Sequence, residues 1–292
     1  GTNQSNQKIC SMTELITTAE ALQELIALAR TERKKIAFVP TMGALHDGHL
    51  KLVEVAKNRA EFVVVSIFVN PTQFGKNEDF NKYPRNLDLD LEKLEGLANL
   101  VFAPTVEAVY PSGQNITHHA GPVGETFEGK ARPGHFDGML TVVARLFDLV
   151  TPDYAVFGEK DAQQLFLVNQ LVEREYPNLE LVPVEIQREP SGLAMSSRNR
   201  YLNPEHTDIA EILAITLASV DHLIRDGKNW QDALEIGREI IQGEPETKLE
   251  YLELVDLDTF TPVTPNHHGD ALLIVAAIVG GVRLIDNHHL KL

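Results

Sequence analysis

Two nearly continuous apolar runs, KKIAFVP (34–40) and EFVVVSIFVN (61–70), are rich in β-branched residues. Such runs are typical of strands that are buried on both faces of a parallel sheet. Between them, residues 48–60 repeat apolar side chains at the spacing of a helix with one inward face. Three more strands are predicted at 99–104, 153–159 and 179–186, with helices at 87–97, 137–149 and 161–175 between them. This alternation predicts an α/β fold with a Rossmann-like, doubly wound parallel sheet over residues 1–186.

The pattern changes after residue 186. Two amphipathic helices are predicted, one from Pro204 to Gly227 and one over 230–243, each ending at a glycine. Strands follow at 250–256, 270–279 and 282–287 without helices between them, and GG at 280–281 is suited to a hairpin turn. Residues 187–292 are therefore predicted to form a smaller α+β domain that closes over the site.

Composition limits the classes of partner. The formal net charge of −16 disfavours binding to a nucleic acid, although a local group of basic residues can still hold a small anion. The longest apolar run, 271–282, is too short to span a bilayer, so no membrane partner is expected. The single cysteine, Cys10, excludes an internal disulfide, and a cytoplasmic protein is the expectation.

The segment PTMGALHDGH follows the first long strand and leads into a helix. Gly43 and Gly48 allow a tight turn, and the free N–H groups of the next helix attract an anion. His46 and His49 add side-chain donors on the same side. The glycine spacing copies that of a P-loop, but the Lys and the Ser/Thr of that motif are missing. The sequence leaves three interpretations open: a phosphate-binding turn, a pair of helix-capping histidines, or a zinc site without its third ligand.

Other polar groups also follow strands, where open α/β sheets bind their ligands. Asn70 and Gln73 can orient a polar substrate or mark an ordinary loop. Lys160 can bind a phosphate or pair with Asp161 or Glu159 in solvent. The segment MSSR contributes Ser196, Ser197 and Arg198, which form an anion clamp or a charged linker. A Gly/Pro-rich loop over 127–139, with Lys130, Arg132 and His135, is predicted to be a flexible cover.

Seven motifs in order, PTMGALHDGH, SIFVNPTQF, YPR, RPGHFDG, FGEKDAQQL, GLAMSSRN and RLIDN, resemble the pantoate–β-alanine ligase family. The resemblance extends from about residue 30 to residue 287. It implies an ATP-dependent ligase of the coenzyme A pathway. In such an enzyme the pantoate carboxylate attacks the α-phosphate of ATP, and the β-alanine amine then attacks the acyl carbon of pantoyl adenylate. A homodimer is also implied.

The resemblance also implies a role for individual residues. The implied catalytic residues are His46, His49 (as proton donor), Lys160, Ser196, Ser197 and Arg198. The implied ATP-binding residues are these six together with Met42, Gly43, Gly48, Gly158, Glu159, Asp161, Gln187 and Met195. The implied pantoate and β-alanine site contains Gln73, Gln164, Asn70, Pro40 and Met42. Mg²⁺ is expected to arrive with the triphosphate, and the only candidate protein ligand is Asp90, in a segment that departs from the family pattern.

Two other functions remain open on the residues alone. Another nucleotidyltransferase with the H-x-G-H turn, acting on a small phosphorylated or carboxylate substrate, would share the fold, but the amides of Gln73 and Gln164 favour a small hydroxy acid. A non-catalytic nucleotide sensor would not need both histidines, Lys160 and the SSR segment together.

Overall fold

A computed structural model describes residues 12–292 of the chain. The single cysteine, Cys10, lies outside the described residues. The larger sheet has six strands, all parallel, in the order β1-β4-β3-β2-β5-β6. Its strands are β1 (Glu14–Ile16), β2 (Ile36–Thr41), β3 (Phe62–Ile67), β4 (Leu100–Phe102), β5 (Tyr154–Gly158) and β6 (Glu180–Val184). The predicted doubly wound parallel sheet is confirmed.

Helices cover both faces of this sheet. They are α1 (Ala19–Thr31), α2 (Asp47–Arg59), α3 (Leu87–Leu94), α4 (Val106–Val109), α5 (Glu128–Ala131), α6 (His135–Val150) and α7 (Ala162–Glu175). One apolar cluster packs Phe38, Phe102 and Phe147 between the sheet and α6, and another lies on the opposite face around Val53, Ala56 and Val65. The central strands are buried on both faces, which is why they read as unbroken apolar runs.

The C-terminal part forms a second, smaller unit with an apolar core of its own. It contains α8 (Pro204–Ala210), α9 (Ile212–Arg225) and α10 (Trp230–Gln242), followed by β7 (Thr247–Val255), β8 (Asp270–Val279) and β9 (Val282–Lys291). The three strands are antiparallel, in the order β7-β8-β9, and Gly280 and Gly281 form the predicted hairpin between β8 and β9. The α+β character of this part is confirmed, whereas the boundary after residue 186 stays a prediction.

Some predicted elements were wrong or missing. The single helix predicted over 204–227 is two helices, because the Glu211 N–H donates to the Asp208 carbonyl three residues back. No proline or glycine marks that break. Helix α1 and the short edge strand β1 were not predicted. The supposed loop over 127–139 contains α5 and the start of α6, so it is largely helical.

The strand order places a topological switch at the centre of the sheet. From β2 the chain continues to β3 on one side, and later adds β5 on the other. The loops that leave β2 and β5 therefore diverge and open a crevice at the carboxyl edge of the sheet, the usual place for a ligand in such folds. None of the helices between residues 12 and 292 is both long and apolar enough to span a bilayer.

Candidate active site

Two neighbouring cavities lie at this crevice. The smaller, of about 200 Å³, is lined by residues that follow β2, β3 and β5, including His46, His49, Gln73 and Gln164. The larger, of about 400 Å³, lies between the parallel-sheet unit and the hairpin of β8 and β9. Both cavities share one wall, formed by Arg132, Lys160, Asp161, Ser196 and Arg198. Three of these five side chains are cationic and one, Asp161, is a carboxylate, so the wall has an excess of positive charge that suits an anionic group reaching into both cavities.

The turn after β2 has an unusual backbone. Gly43 and Ala44 both adopt positive φ angles, of 79° and 51°. A glycine adopts this conformation freely, but an alanine is strained there by roughly 1 kcal/mol. A Cβ at position 43 would also lie 3.0 Å from an oxygen of Asp90. Strain of this kind persists only where surrounding contacts hold the backbone in place.

Those contacts come from helix α3 and from the SSR segment. The two carboxylate oxygens of Asp90 accept hydrogen bonds from the Ala44 and Leu45 N–H groups, at 3.0 and 2.9 Å. Lys93 Nζ donates to the Leu45 carbonyl at 2.6 Å, and Ser197 Oγ donates to the Ala44 carbonyl at 2.9 Å. The turn is thus fixed on three sides immediately before the first histidine.

His46 and His49 cap helix α2. The Gly48 N–H donates to His46 Nδ1 at 3.0 Å, and the His46 N–H donates to His49 Nδ1 at 3.1 Å. A Cβ at position 48 would lie 2.7 Å from the His46 ring, so glycine is required between the two histidines. The capping interpretation is therefore correct, but it does not compete with ligand binding, because both rings also line the smaller cavity.

Capping fixes the protonation of both rings. A ring nitrogen that accepts a backbone hydrogen bond carries no proton, so each neutral ring holds its proton on Nε2. Burial, followed by the charge of Lys160, lowers the pKa of His46 to about 4. Burial, followed by the neighbouring His46, lowers the pKa of His49 well below its usual value. Both histidines are therefore neutral near pH 7, and each offers one Nε2–H donor.

The loop after β5 brings Lys160 to the shared wall. Gly158 ends the strand, and a Cβ there would meet only Leu52, at 4.0 Å, so the protein itself leaves the space beside it open. Lys160 lies close enough to both histidines to lower their pKa values. Within residues 12–292 it forms no ion pair, although Glu159 and Asp161 flank it in sequence. The solvated ion pair considered above is therefore not formed.

The segment 196–198 closes the other side of the wall. Ser196 lines both cavities, and its hydroxyl accepts a hydrogen bond from the Arg198 N–H. The Arg198 guanidinium binds both oxygens of Asp79, at 3.0 and 3.1 Å. Burial alone would raise the pKa of Asp79, but Arg198 overcomes that effect and lowers it. The Asp79 carboxylate therefore accepts two parallel hydrogen bonds from the Arg198 guanidinium. The same pair of donors is suited to two oxygens of a phosphate.

The predicted cover region contributes two side chains. Arg132 donates to Glu78 at 2.5 Å and belongs to the shared wall. His135, at the start of α6, is buried and its Nδ1 lies 2.8 Å from the Gln73 carbonyl. Burial, followed by the charge of Arg132, lowers the pKa of His135 to about 4. Lys130 is exposed and lines neither cavity.

The amide residues occupy the smaller cavity. Gln73 is buried, its Oε1 accepts from Asn70 Nδ2 at 3.1 Å, and its Nε2 lies 3.5 Å from Met42 Sδ. Asn70 also donates to the Gly138 carbonyl and accepts from Tyr110 and Thr72, so its hydrogen-bonding capacity is used within the protein. Pro40, Met42 and Gln164 complete this part of the lining. Asn70 therefore orients Gln73, and the amides of Gln73 and Gln164 both line the smaller cavity.

A few residues of the predicted site lie outside both cavities. Glu159 borders a separate surface depression, while the Gln187 carbonyl accepts from the Met195 N–H at 2.9 Å. Met195 packs beside Gly48. Asp90 is buried and lines neither cavity. Its suggested role in binding Mg²⁺ stays a prediction, and the structure shows a different use of both carboxylate oxygens.

Sequence reasoning missed several residues of the site. Tyr83 is buried in the smaller cavity, beneath the Arg198 guanidinium, which lies 5.6 Å from the ring centroid. Lys93 supports the turn, and Glu78 and Asp79 hold the two arginines. The YPR motif was a signal for Tyr83. Nothing in the sequence pairs Glu78 or Asp79 with an arginine 54 or 119 residues away.

The arrangement combines neutral imidazole donors, a cationic wall and two amides around a crevice at the carboxyl edge of a parallel sheet. Among residues 12–292, no side chain at this crevice is both nucleophilic and hydrogen-bonded to a base, so the site is suited to positioning two substrates and stabilising negative charge on one of them. The fold and the site define an α/β enzyme of the nucleotide-dependent ligase and transferase type.

Comparison with known proteins identifies the family. The family model for Pantoate-beta-alanine ligase matches residues 14–289. A pantothenate synthetase of Leifsonia xyli subsp. xyli is 46% identical over 285 residues, which cover 97% of this chain and 99% of that protein. The chain therefore belongs to the pantoate–β-alanine ligase family, as the motifs predicted.

Solved structures agree. The crystal structure of pantothenate synthetase from Thermus thermophilus superposes with a TM-score of 0.88 at 42% identity, over 94% of this chain and 99% of that one. The ligase from Francisella tularensis, whose structure contains beta-gamma ATP and beta-alanine, gives a TM-score of 0.76 at 34% identity, over 94% and 97% of the two chains.

Proposed function

We propose that this enzyme joins pantoate to β-alanine at the expense of ATP, through a pantoyl-adenylate intermediate, with release of pyrophosphate and AMP. The observation that carries the proposal is the cationic wall shared by the two cavities. The smaller cavity, lined with the amides of Gln73 and Gln164, fits a small hydroxy acid. The shared wall fits the triphosphate, so the α-phosphate comes to lie where the two cavities meet.

The first step requires little covalent chemistry from the protein. A carboxylate oxygen of pantoate attacks the α-phosphorus, and the bond to the pyrophosphate oxygen breaks. Negative charge moves onto the leaving group. Lys160, which has no ion-pair partner among the described residues, and Arg198, which also pairs with Asp79, are the cations that stabilise it. His46 and His49 each donate an Nε2–H without a change in their own charge. The proton-donor role implied for His49 is therefore donation of a hydrogen bond, without transfer of the proton.

In the second step the β-alanine amine attacks the acyl carbon and AMP leaves. Gln73 and Gln164 orient the pantoyl group for both steps, since the same cavity holds it throughout. Holding the reacting groups in place converts a bimolecular reaction into one within a single complex, which supplies a large part of the acceleration.

We propose that Mg²⁺ enters as part of the ATP substrate. Within the described residues, no group of three or more His, Cys, Asp or Glu side chains could hold a metal ion. Glu78 and Asp79, two carboxylates that line the larger cavity, already bind arginines. The homodimeric state and the cytoplasmic location stay predictions, the first from the family resemblance and the second from composition.

Isotope exchange between pyrophosphate and ATP tests this function. We expect exchange that requires pantoate and proceeds without β-alanine, because the adenylate forms before the amine reacts. AMP should accumulate beyond one equivalent of enzyme only when both pantoate and β-alanine are present. Exchange that is independent of pantoate, or no exchange in a preparation that makes pantothenate, would rule out the adenylate mechanism.

A further inference from the structure

The RLIDN motif, residues 283–287, lines the larger cavity with its first four residues, but Asn287 lines neither cavity. The motif lies on β9, in the C-terminal unit, yet one of its side chains reaches the loop that carries Lys160. Asn287 is buried, with 7% of its surface exposed. Its Nδ2 donates to the Glu159 carbonyl at 2.9 Å and to the Lys160 carbonyl at 3.0 Å. Because both acceptors are carbonyl oxygens, only the NH₂ end of the carboxamide can face them.

These two hydrogen bonds fix the orientation of two successive peptide groups. In a trans peptide the C=O and the N–H point in opposite directions. With the carbonyls of Glu159 and Lys160 turned towards Asn287, the N–H groups of Lys160 and Asp161 point away from it. Neither N–H donates a hydrogen bond within the residues that the structure describes. Both belong to residues that line the two cavities.

Asn287 is itself held rigidly. Its own N–H donates to Asp286 Oδ1 at 2.8 Å, and Asp286 forms a two-pronged ion pair with Arg188, with both distances 2.8 Å. Arg188 follows β6, next to β5 in the parallel sheet. The Lys160 loop is therefore braced between its own sheet, through the Glu159 N–H and the Val184 carbonyl, and the C-terminal unit.

We propose that Asn287 is a positioning residue for the adenylation step. It holds the 159–161 backbone so that Lys160 and two free N–H groups face the triphosphate, and it keeps two carbonyl dipoles away from that anion. It acts through the Lys160 loop and does not touch substrate. The inference rests on the proposed function, since it assigns Asn287 to the step in which ATP reacts.

The test combines Asn287→Ala with Lys160→Ala in a double-mutant cycle. We expect Asn287→Ala to lower pantoate-dependent exchange about tenfold, mainly through a higher KM for ATP, with the KM for β-alanine unchanged. In the Lys160→Ala background the same substitution should cost less than about threefold, because the ammonium that it positions is gone and only the two N–H groups remain to be positioned. Equal losses in the two backgrounds would overturn the proposal.

A second variant separates positioning from packing. Asn287→Asp conserves shape but places a carboxylate oxygen against two carbonyl oxygens, so we expect exchange lower than in Asn287→Ala. If Asn287 merely fills space, the order is reversed. His289→Ala, two residues along the same strand and exposed, serves as the surface control. Asp221→Ala, which removes a buried carboxylate bound to Arg225 and His288 within the C-terminal unit, controls for lost stability.

The cycle also separates the two levels of inference. If the wild-type enzyme shows no pantoate-dependent exchange, the proposed function fails. If the wild type exchanges normally and Asn287→Ala exchanges at the same rate, only the role of Asn287 fails.

Discussion

His46 and His49 each use their two ring nitrogens for different tasks. Nδ1 completes the N-terminus of helix α2, and Nε2 remains a donor on a ring that lines the smaller cavity. The helix N-terminus and Lys160 both disfavour an added positive charge on these rings, in the same sense as burial. A neutral imidazole in a fixed tautomer is a directional donor whose charge does not change when the triphosphate binds. In the proposed function, Lys160, from the loop after β5, takes the place of the absent P-loop lysine.

The low pKa of His46 makes folding stability depend on pH. An unfolded histidine titrates near pH 6.5, whereas the folded ring titrates at about 4. Between these values the unfolded chain binds more protons, so stability falls as the pH falls. We expect His46→Gln to remove part of this pH dependence. One titrating group contributes at most about 1.4 kcal/mol per pH unit, and His46 contributes less because its ring is partly exposed. Urea unfolding of the wild type and of His46→Gln, each at pH 7 and pH 5, measures this pH dependence. If both proteins lose the same stability between pH 7 and pH 5, the folded His46 ring titrates normally.

At the scale of elements, the turn between β2 and α2 depends on helix α3. The backbone of Gly43 and Ala44 is strained, and Asp90 supplies two charged hydrogen bonds to the N–H groups that follow. The strained turn determines where the His46 ring enters the cavity. Helix α3 is thereby part of the site although none of its side chains lines either cavity.

Asp90→Asn tests this dependence. An amide can accept from only one of the two N–H groups and turns its own NH₂ towards the other, so we expect a loss of roughly 1.5–3 kcal/mol in stability and a higher KM for ATP. Asp88→Asn, exposed on the same helix, is the matched control. The assay is run over a range of Mg²⁺ concentrations. Recovery of activity at high Mg²⁺ would favour the metal role of Asp90 over its support of the turn.

The sequence predicted the elements of the crevice well, because buried parallel strands and amphipathic helices carry strong periodic patterns. It also placed His46, Lys160 and Arg198 at strand ends or in a polar loop. It did not reveal the partners of these residues. Asp79 and Arg198 lie 119 residues apart, and Asn287 and Lys160 lie 127 apart. Such pairings depend on how the two folded units pack together, and the local sequence pattern does not encode that packing. The sequence presents capping of α2 and phosphate binding by the histidines as alternatives, but the structure shows that capping uses only Nδ1, so the two are compatible.

At the scale of the whole molecule, the two units meet around the site. Ser197 bonds to the turn after β2, Asn287 bonds to the loop after β5, and Arg283 binds Glu128 on α5. Tyr251 Oη also donates to Glu128, at 2.6 Å, and the Phe127 ring packs against Tyr251. Burial alone would raise the pKa of Glu128, but Arg283 lowers it. The stability that this carboxylate contributes is therefore lost as the pH falls.

The Glu128–Arg283 pair is the ionic contact expected to matter most for holding the two units together. The two side chains are 11% and 23% exposed, and the two guanidinium–carboxylate distances are 2.5 and 2.7 Å. Glu128→Gln keeps the shape but leaves a half-buried guanidinium with Glu250 as its remaining carboxylate partner. We expect a loss of roughly 2–4 kcal/mol in the free energy of unfolding, because the largely buried Arg283 guanidinium loses its two-pronged partner and keeps only one carboxylate. Glu180→Gln removes an exposed ion pair with Arg59, whose two side chains are 58% and 47% exposed, and should cost less than about 1 kcal/mol.

Calorimetry gives both values, and it also shows whether the single unfolding transition expected of coupled units separates into two when Glu128 is neutral. Equal and small losses in both variants would mean that apolar packing around Phe260, rather than this ion pair, joins the two units.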